Sequence, residues 1–168
     1  MISRFFARHV PVALFQTLLT FWVGMIWTIG YLVVPVLFYG LEDRMLAGEV
    51  AGRLFFLSGW LGMGLGGGVF VFLMGRGRFS APRRLSFWLV VVLLILTAVS
   101  LFGIQPLMAH LKEMAAPRDV MDSPLRERFV TWHGISSSLY LLHSLLAAVL
   151  LWRESTLWPA APRGEREE

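Results

Sequence analysis

The chain has 168 residues, 57% of them hydrophobic and only 15% charged. A soluble domain carries roughly 25% charged residues, so lipid rather than a buried core must absorb the excess. The net charge of +4 is small and the 15 Lys and Arg lie mostly between apolar runs, which argues against nucleic acid and for an anionic membrane surface; with no cysteine, disulfides, thiolate nucleophiles and zinc-thiolate sites are excluded.

Four apolar runs, at about 12–38, 54–74, 85–108 and 129–152, contain no Asp, Glu, Lys or Arg. Each is long enough to cross a ~30 Å hydrocarbon layer as a helix rising ~1.5 Å per residue. The sequence therefore predicts an all-α integral membrane bundle of four transmembrane helices. Residues 1–11 form a cytoplasmic N-terminal segment, 12–152 the transmembrane domain and 153–168 a polar cytoplasmic tail. The first run exceeds a signal-peptide core of about 7–15 residues and no A-x-A-like site follows it, so it reads as a retained first span.

Along that span Thr17, Thr20, Gly24, Thr28, Tyr31 and Pro35 recur at steps of three or four, a small and polar stripe on an oily rod. Pro35 lacks the amide that would bond the Tyr31 carbonyl and so frees that acceptor. Trp22 and Trp27 fall near the expected midplane, where they either wall a pocket or fill space beside glycines. The second span offers that space: Ser58, Gly62 and Gly66, and again Gly64 and Gly68, have the small-xxx-small spacing that lets helix backbones approach closely. Gly62 and Gly66 would serve packing within the bundle, or the seam of a homo-oligomer or larger membrane complex.

The loop from Gly75 to Arg84 holds Arg76, Arg78, Arg83 and Arg84 and no acid. Together with Arg4, Arg8, Arg153, Arg163 and Arg166 it places nine basic residues on one side against six on the other, which puts both termini in the cytoplasm. This is the layout of a multi-pass membrane protein. At the far end of the third span lie Met108, His110, Met114 and Met121, thioethers and an imidazole that suit a soft ion such as Cu(I). Pro117 ends that helix, and Ser123 with Pro124 restarts the chain as N-cap and first helical residue.

In the fourth span His133, Ser137, Tyr140 and Ser144 share one stripe that should face protein or water, because polar groups are costly in lipid. His143 lies ~15 Å deeper than His133 and ~80° off that stripe. His110 and His133 have similar depth and form the plausible bis-histidine pair for haem. Trp132 and Trp152 suit the aromatic belts. All eleven acids lie in loops or the tail, so no carboxylate can orient a histidine at membrane depth and no catalytic set is expected.

The order Trp22-x-Gly24, Pro35-x-x-Phe38, Ala51-Gly52-x-Leu54-Phe55, Gln105-Pro106 and Phe129-x-x-Trp132-His133-Gly134-Ile135-Ser136-Ser137 resembles the transmembrane protein 205-like domain family, small four-span proteins for which a bacterial domain of unknown function has been defined. The resemblance covers nearly the whole chain and implies four membrane helices without an established reaction. Eukaryotic relatives are associated with resistance to platinum drugs, which implies a transport or soft-metal role. Where relatives often carry Asn after the serines, this chain has Leu139-Tyr140.

The leading expectation is a non-enzymatic accessory or small-molecule- or partner-binding membrane protein without a cofactor. Its ligand or helix-contact cluster comprises His133, Gly134, Ser136, Ser137, Tyr140, Trp22, Gly24, Tyr31, Pro35 and Pro106. The alternatives are a small transporter or resistance protein for soft metals or drugs, with Met108, His110 and Met114 as metal ligands, and a haem- or quinone-binding redox subunit using His110 and His133.

Overall fold

The computed structural model describes residues 2–77 and 85–157, with side chains from 13 to 75 and from 85 to 155. Arg78, Arg83 and Arg84 of the basic loop, Arg163 and Arg166 of the tail, and the side chains of Arg4, Arg8 and Arg76 lie outside what is described. The described residues form four helical rods. The first comprises α1 (Ile2–Trp27), a π turn (Thr28–Val33) and α2 (Val34–Gly40); the second is α3 (Arg44–Gly77). The third comprises α4 (Leu85–Ala98), a second π turn (Val99–Ile104) and α5 (Gln105–Ala115), and a 3-10 turn (Val120–Asp122) leads to the fourth, α6 (Arg126–Leu157).

The two π turns share one cause. A proline inside a helix has no N–H to donate, and its ring collides with the carbonyl four residues back. In each rod the chain widens just before the proline, Pro35 or Pro106, so that bonds skip five residues: the Val34 N–H reaches the Ile29 carbonyl, and the Gln105 N–H reaches that of Ser100. Pro35 thus reshapes a full turn of helix, a larger change than the single freed carbonyl expected from sequence. Each proline then occupies the first turn of the next α-helix, where its missing N–H costs nothing.

The breaks between rods are also local chemistry. Asp43 caps α3, its carboxylate accepting from the amides of Met45 at 2.8 Å and Leu46 at 3.1 Å. The helix therefore starts at Arg44, ten residues before the apolar run at 54, with an exposed Arg53–Glu49 pair at 2.6 Å on its extension. Ser123 acts as expected at the other restart: its hydroxyl accepts from the Leu125 amide at 3.1 Å and donates to the Val120 carbonyl at 2.8 Å, although regular helix begins only at Arg126.

The rods pack in sequence order as a closed ring, α1 on α3, α3 on α4, α4 on α6 and α6 back on α1. Four of the described helices are long and apolar enough to cross a membrane: Ala13–Gly40, Arg44–Gly75, Leu85–Ala115 and Arg126–Ser155. The surface they present is apolar, with Phe21 and Val71 each 68% exposed and Leu14, Leu32, Trp88 and Ile95 also outward. Inside, Phe15, Leu19, Val23, Val69, Leu93 and Leu150 form a tight apolar layer toward the end of the bundle where α1 begins.

Trp22 roofs that layer, lying across α3 where Gly62 and Gly66 leave room. A Cβ at Gly62 would come 3.3 Å from the indole Nε1, and one at Gly66 would come 2.7 Å from Cζ2 and 2.8 Å from a Leu94 methyl. The small-residue face of α3 at Gly62 and Gly66 is therefore filled from within the same chain. Gly30, in the first π turn, does the same for Tyr140, whose ring occupies the place of any Cβ.

Gly66→Ala is expected to destabilise the bundle by about 1–3 kcal/mol, because the rigid indole and Leu94 must move. Gly64→Ala, whose Cβ meets open space, should stay within about 0.5 kcal/mol of the parent. Thermal unfolding in one detergent compares them, and equal midpoints would contradict this seating of Trp22.

Candidate functional site

Between the Trp22 layer and the π turns the bundle does not close. A partly open cavity of about 50 Å³ remains. Its walls come from all four rods, with Trp22, Met25 and Ile26 from α1, Phe55, Ser58, Gly59 and Gly62 from α3, Leu96, Thr97, Ser100 and Gln105 from the third rod, and Ser136, Leu139, Tyr140 and His143 from α6. None of these fifteen residues carries a formal charge at neutral histidine, yet eight bear a polar side-chain atom.

Several of those atoms are tied to backbone. The Thr97 hydroxyl donates to the Leu93 carbonyl at 2.9 Å, and the Ser58 hydroxyl to that of Phe55 at 3.0 Å. Gln105 Nε2 donates to the same Phe55 carbonyl at 3.1 Å, joining the second π turn to α3. Tyr140 donates to the Ile26 carbonyl at the head of the first π turn, and its ring meets Phe55 edge-on with centroids 5.3 Å apart. Behind it, the Tyr31 and Ser144 hydroxyls pair at 2.7 Å and Trp27 Nε1 donates to the Ser144 carbonyl at 3.4 Å, closing α1 onto α6.

Three of the polar atoms that are fully buried have no such partner. Trp22 Nε1, Gln105 Oε1 and His143 Nε2 are the buried side-chain nitrogens and oxygens that make no hydrogen bond among the described residues, and all three residues line this cavity. Trp22 is 1% exposed and His143 8%, and their rings meet edge-on at 6.4 Å. An unsatisfied buried donor or acceptor costs about 1–3 kcal/mol, so three around one space call for an occupant that bonds them.

The residues expected from sequence divide between this cavity and the surface. Trp22, Ser136 and Tyr140 line the cavity, while Tyr31 braces Tyr140, with ring centroids 6.1 Å apart. Pro35 and Pro106 set the two π turns without lining it. Gly24 and Gly134 face outward with no neighbouring atom to approach. His133 is exposed and stacks on Phe129, with ring centroids 5.9 Å apart, while the exposed Ser137 returns its hydroxyl to the His133 carbonyl at 2.9 Å. The polar stripe of α6 therefore splits, with His133 and Ser137 outward and Tyr140 and Ser144 inward. His110 and Met114 are exposed and Met108 half-buried.

His143, Gln105, Thr97 and Ser100 were not among the expected site residues. The signal for His143 was present: Ser136, Tyr140, His143, Ala147 and Leu150 follow one another at steps of four, three, four and three, and the last two are fully buried. The inward face of α6 is marked by where its apolar stripe ends, not by its densest run of hydroxyls.

A family described as a domain of unknown function (DUF4149) matches residues 17–117. The matched stretch holds every cavity residue from Trp22 to Gln105 and stops before α6, which brings Ser136, Leu139, Tyr140 and His143. No curated protein and no solved structure matches the chain.

Proposed function

The chain belongs to the DUF4149 family, and from that premise we propose that it is a multi-pass membrane protein that binds a small molecule inside its helix bundle without transforming it. The convergence of Trp22 Nε1, Gln105 Oε1 and His143 Nε2 on one uncharged cavity carries this reading. An apolar exterior around polar interior atoms is the distribution required of a protein dissolved in lipid. Among the described residues no carboxylate, cation or thiol lines the space, and the arrangement supports recognition through hydrogen bonds and shape.

The lines that go beyond this are part of the same proposal. The basic bias of the Gly75 to Arg84 loop supports both termini on the cytoplasmic side, and the resemblance to a bacterial domain supports the bacterial inner membrane as the location. The motif order from Trp22 to Ser137 supports kinship with the transmembrane protein 205-like proteins.

Native mass spectrometry of protein extracted in mild detergent tests the binding role. Wild-type protein should carry a small molecule that Gln105→Leu protein, equally helical by circular dichroism, has lost. Wild-type protein that is empty, and unmoved in thermal midpoint by added membrane extract, would contradict the role. Reporter fusions at each terminus should both be active in the cytoplasm, whereas opposite faces would overturn the orientation.

A further inference from the structure

Resting on that reading, we propose that the occupant is an uncharged amphiphile whose head is a hydroxyl-type group, one that accepts and donates at once, with an apolar tail lying in the mouth of the cavity. The three unpaired atoms set this requirement. An indole Nε1–H can only donate, so something on the occupant must accept from Trp22. Gln105 has committed its amide nitrogen to the Phe55 carbonyl, so the group left facing the cavity is Oε1, which can only accept, and something on the occupant must donate to it. His143 Nε2 takes either role according to its tautomer.

Most head groups fail one of these demands. A carboxylate or a ketone has no proton to give Gln105, and an ammonium has no lone pair for Trp22. A hydroxyl has both and is smaller than the other neutral groups that do, a primary amide or an uncharged carboxyl. Charge gives the same answer from another direction: none of the fifteen wall residues is Asp, Glu, Lys or Arg, so an ion would be buried without a counter-charge, which protein interiors strongly disfavour.

Size fixes the rest. At ~10–15 Å³ for each water-sized group, a cavity of about 50 Å³ has room for a small polar head. Among the wall residues Met25, Phe55, Leu96 and Leu139, all half-buried, offer apolar surface to a chain.

Four probes with one tail separate the alternatives: dodecanol, dodecanoate, dodecylammonium and dodecane. Each is titrated into the full chain in neutral phosphatidylcholine nanodiscs, counted per lipid, and read by native mass spectrometry. Dodecanol should bind about tenfold or more tighter than the other three, and Trp22→Phe and Gln105→Leu should each narrow that margin. Dodecyl methyl ether, which can accept from Trp22 but has no proton for Gln105, should bind the wild type more weakly than dodecanol, a comparison that needs no variant to fold. Equal binding of dodecanol and dodecane, or preference for an ion, would overturn the hydroxyl assignment while leaving a bound small molecule in place. Binding of none of the probes, with waters alone in the cavity, would defeat this inference, and the wider binding role falls only if extracted protein is also empty.

Discussion

Backbone hydrogen bonding is the constraint from which this architecture follows. In an apolar bundle every amide and carbonyl must find a partner within the protein, and a proline removes one donor from the ladder. Pro35 and Pro106 do so in the first and third rods, which face each other across the ring. Both rods respond with a π turn that shifts the register by one residue and keeps the amides bonded, to Ile29 in one case and Ser100 in the other. π turns of this kind gather at functional sites because the extra residue re-aims neighbouring side chains. Here Gly30 in the first turn admits the Tyr140 ring, and Gln105 directly after the second reaches across to α3.

The remaining packing is arranged around these two irregular segments. Toward the chain's beginning, Trp22 rests on Gly62 and Gly66 and seals an ordinary apolar layer. Toward the prolines, hydroxyl, amide and imidazole groups replace leucine and valine, and the interior is left incompletely filled. A fully efficient bundle would place methyl groups at these positions, since buried polar atoms without partners subtract from stability. Proteins keep such local violations chiefly where function requires them.

Much of the fold was legible because it rests on run length and on single strong signals. Four uncharged apolar stretches gave four rods, and Ser123 marked the last restart. Asp43 is an equally good N-cap signal for α3, but it lies outside the apolar run. The site was read less well for a physical reason. Helix four offers polar residues around much of its circumference, from His133 to Ser144, and periodicity alone does not decide which arc turns inward. Choosing the arc with most hydroxyls selected His133 and Ser137, which the structure leaves outside. Extending the buried Ala147 and Leu150 stripe backward keeps the expected Tyr140 and Ser136 and adds His143. Gln105 was noticed as a companion of Pro106, yet its reach to Phe55 depends on the π turn, which composition does not announce.

The central claim is that the polar atoms of the cavity serve an occupant at the expense of the empty bundle. His143→Leu tests it most directly, since leucine is close to histidine in volume and removes the unpaired Nε2 without leaving a large void. The thermal midpoint of ligand-free protein in detergent should rise by a few degrees, on the order of 1 kcal/mol, relative to the wild type. A fall in that midpoint would show that His143 holds the bundle together, and the claim that the cavity exists for a guest would fail.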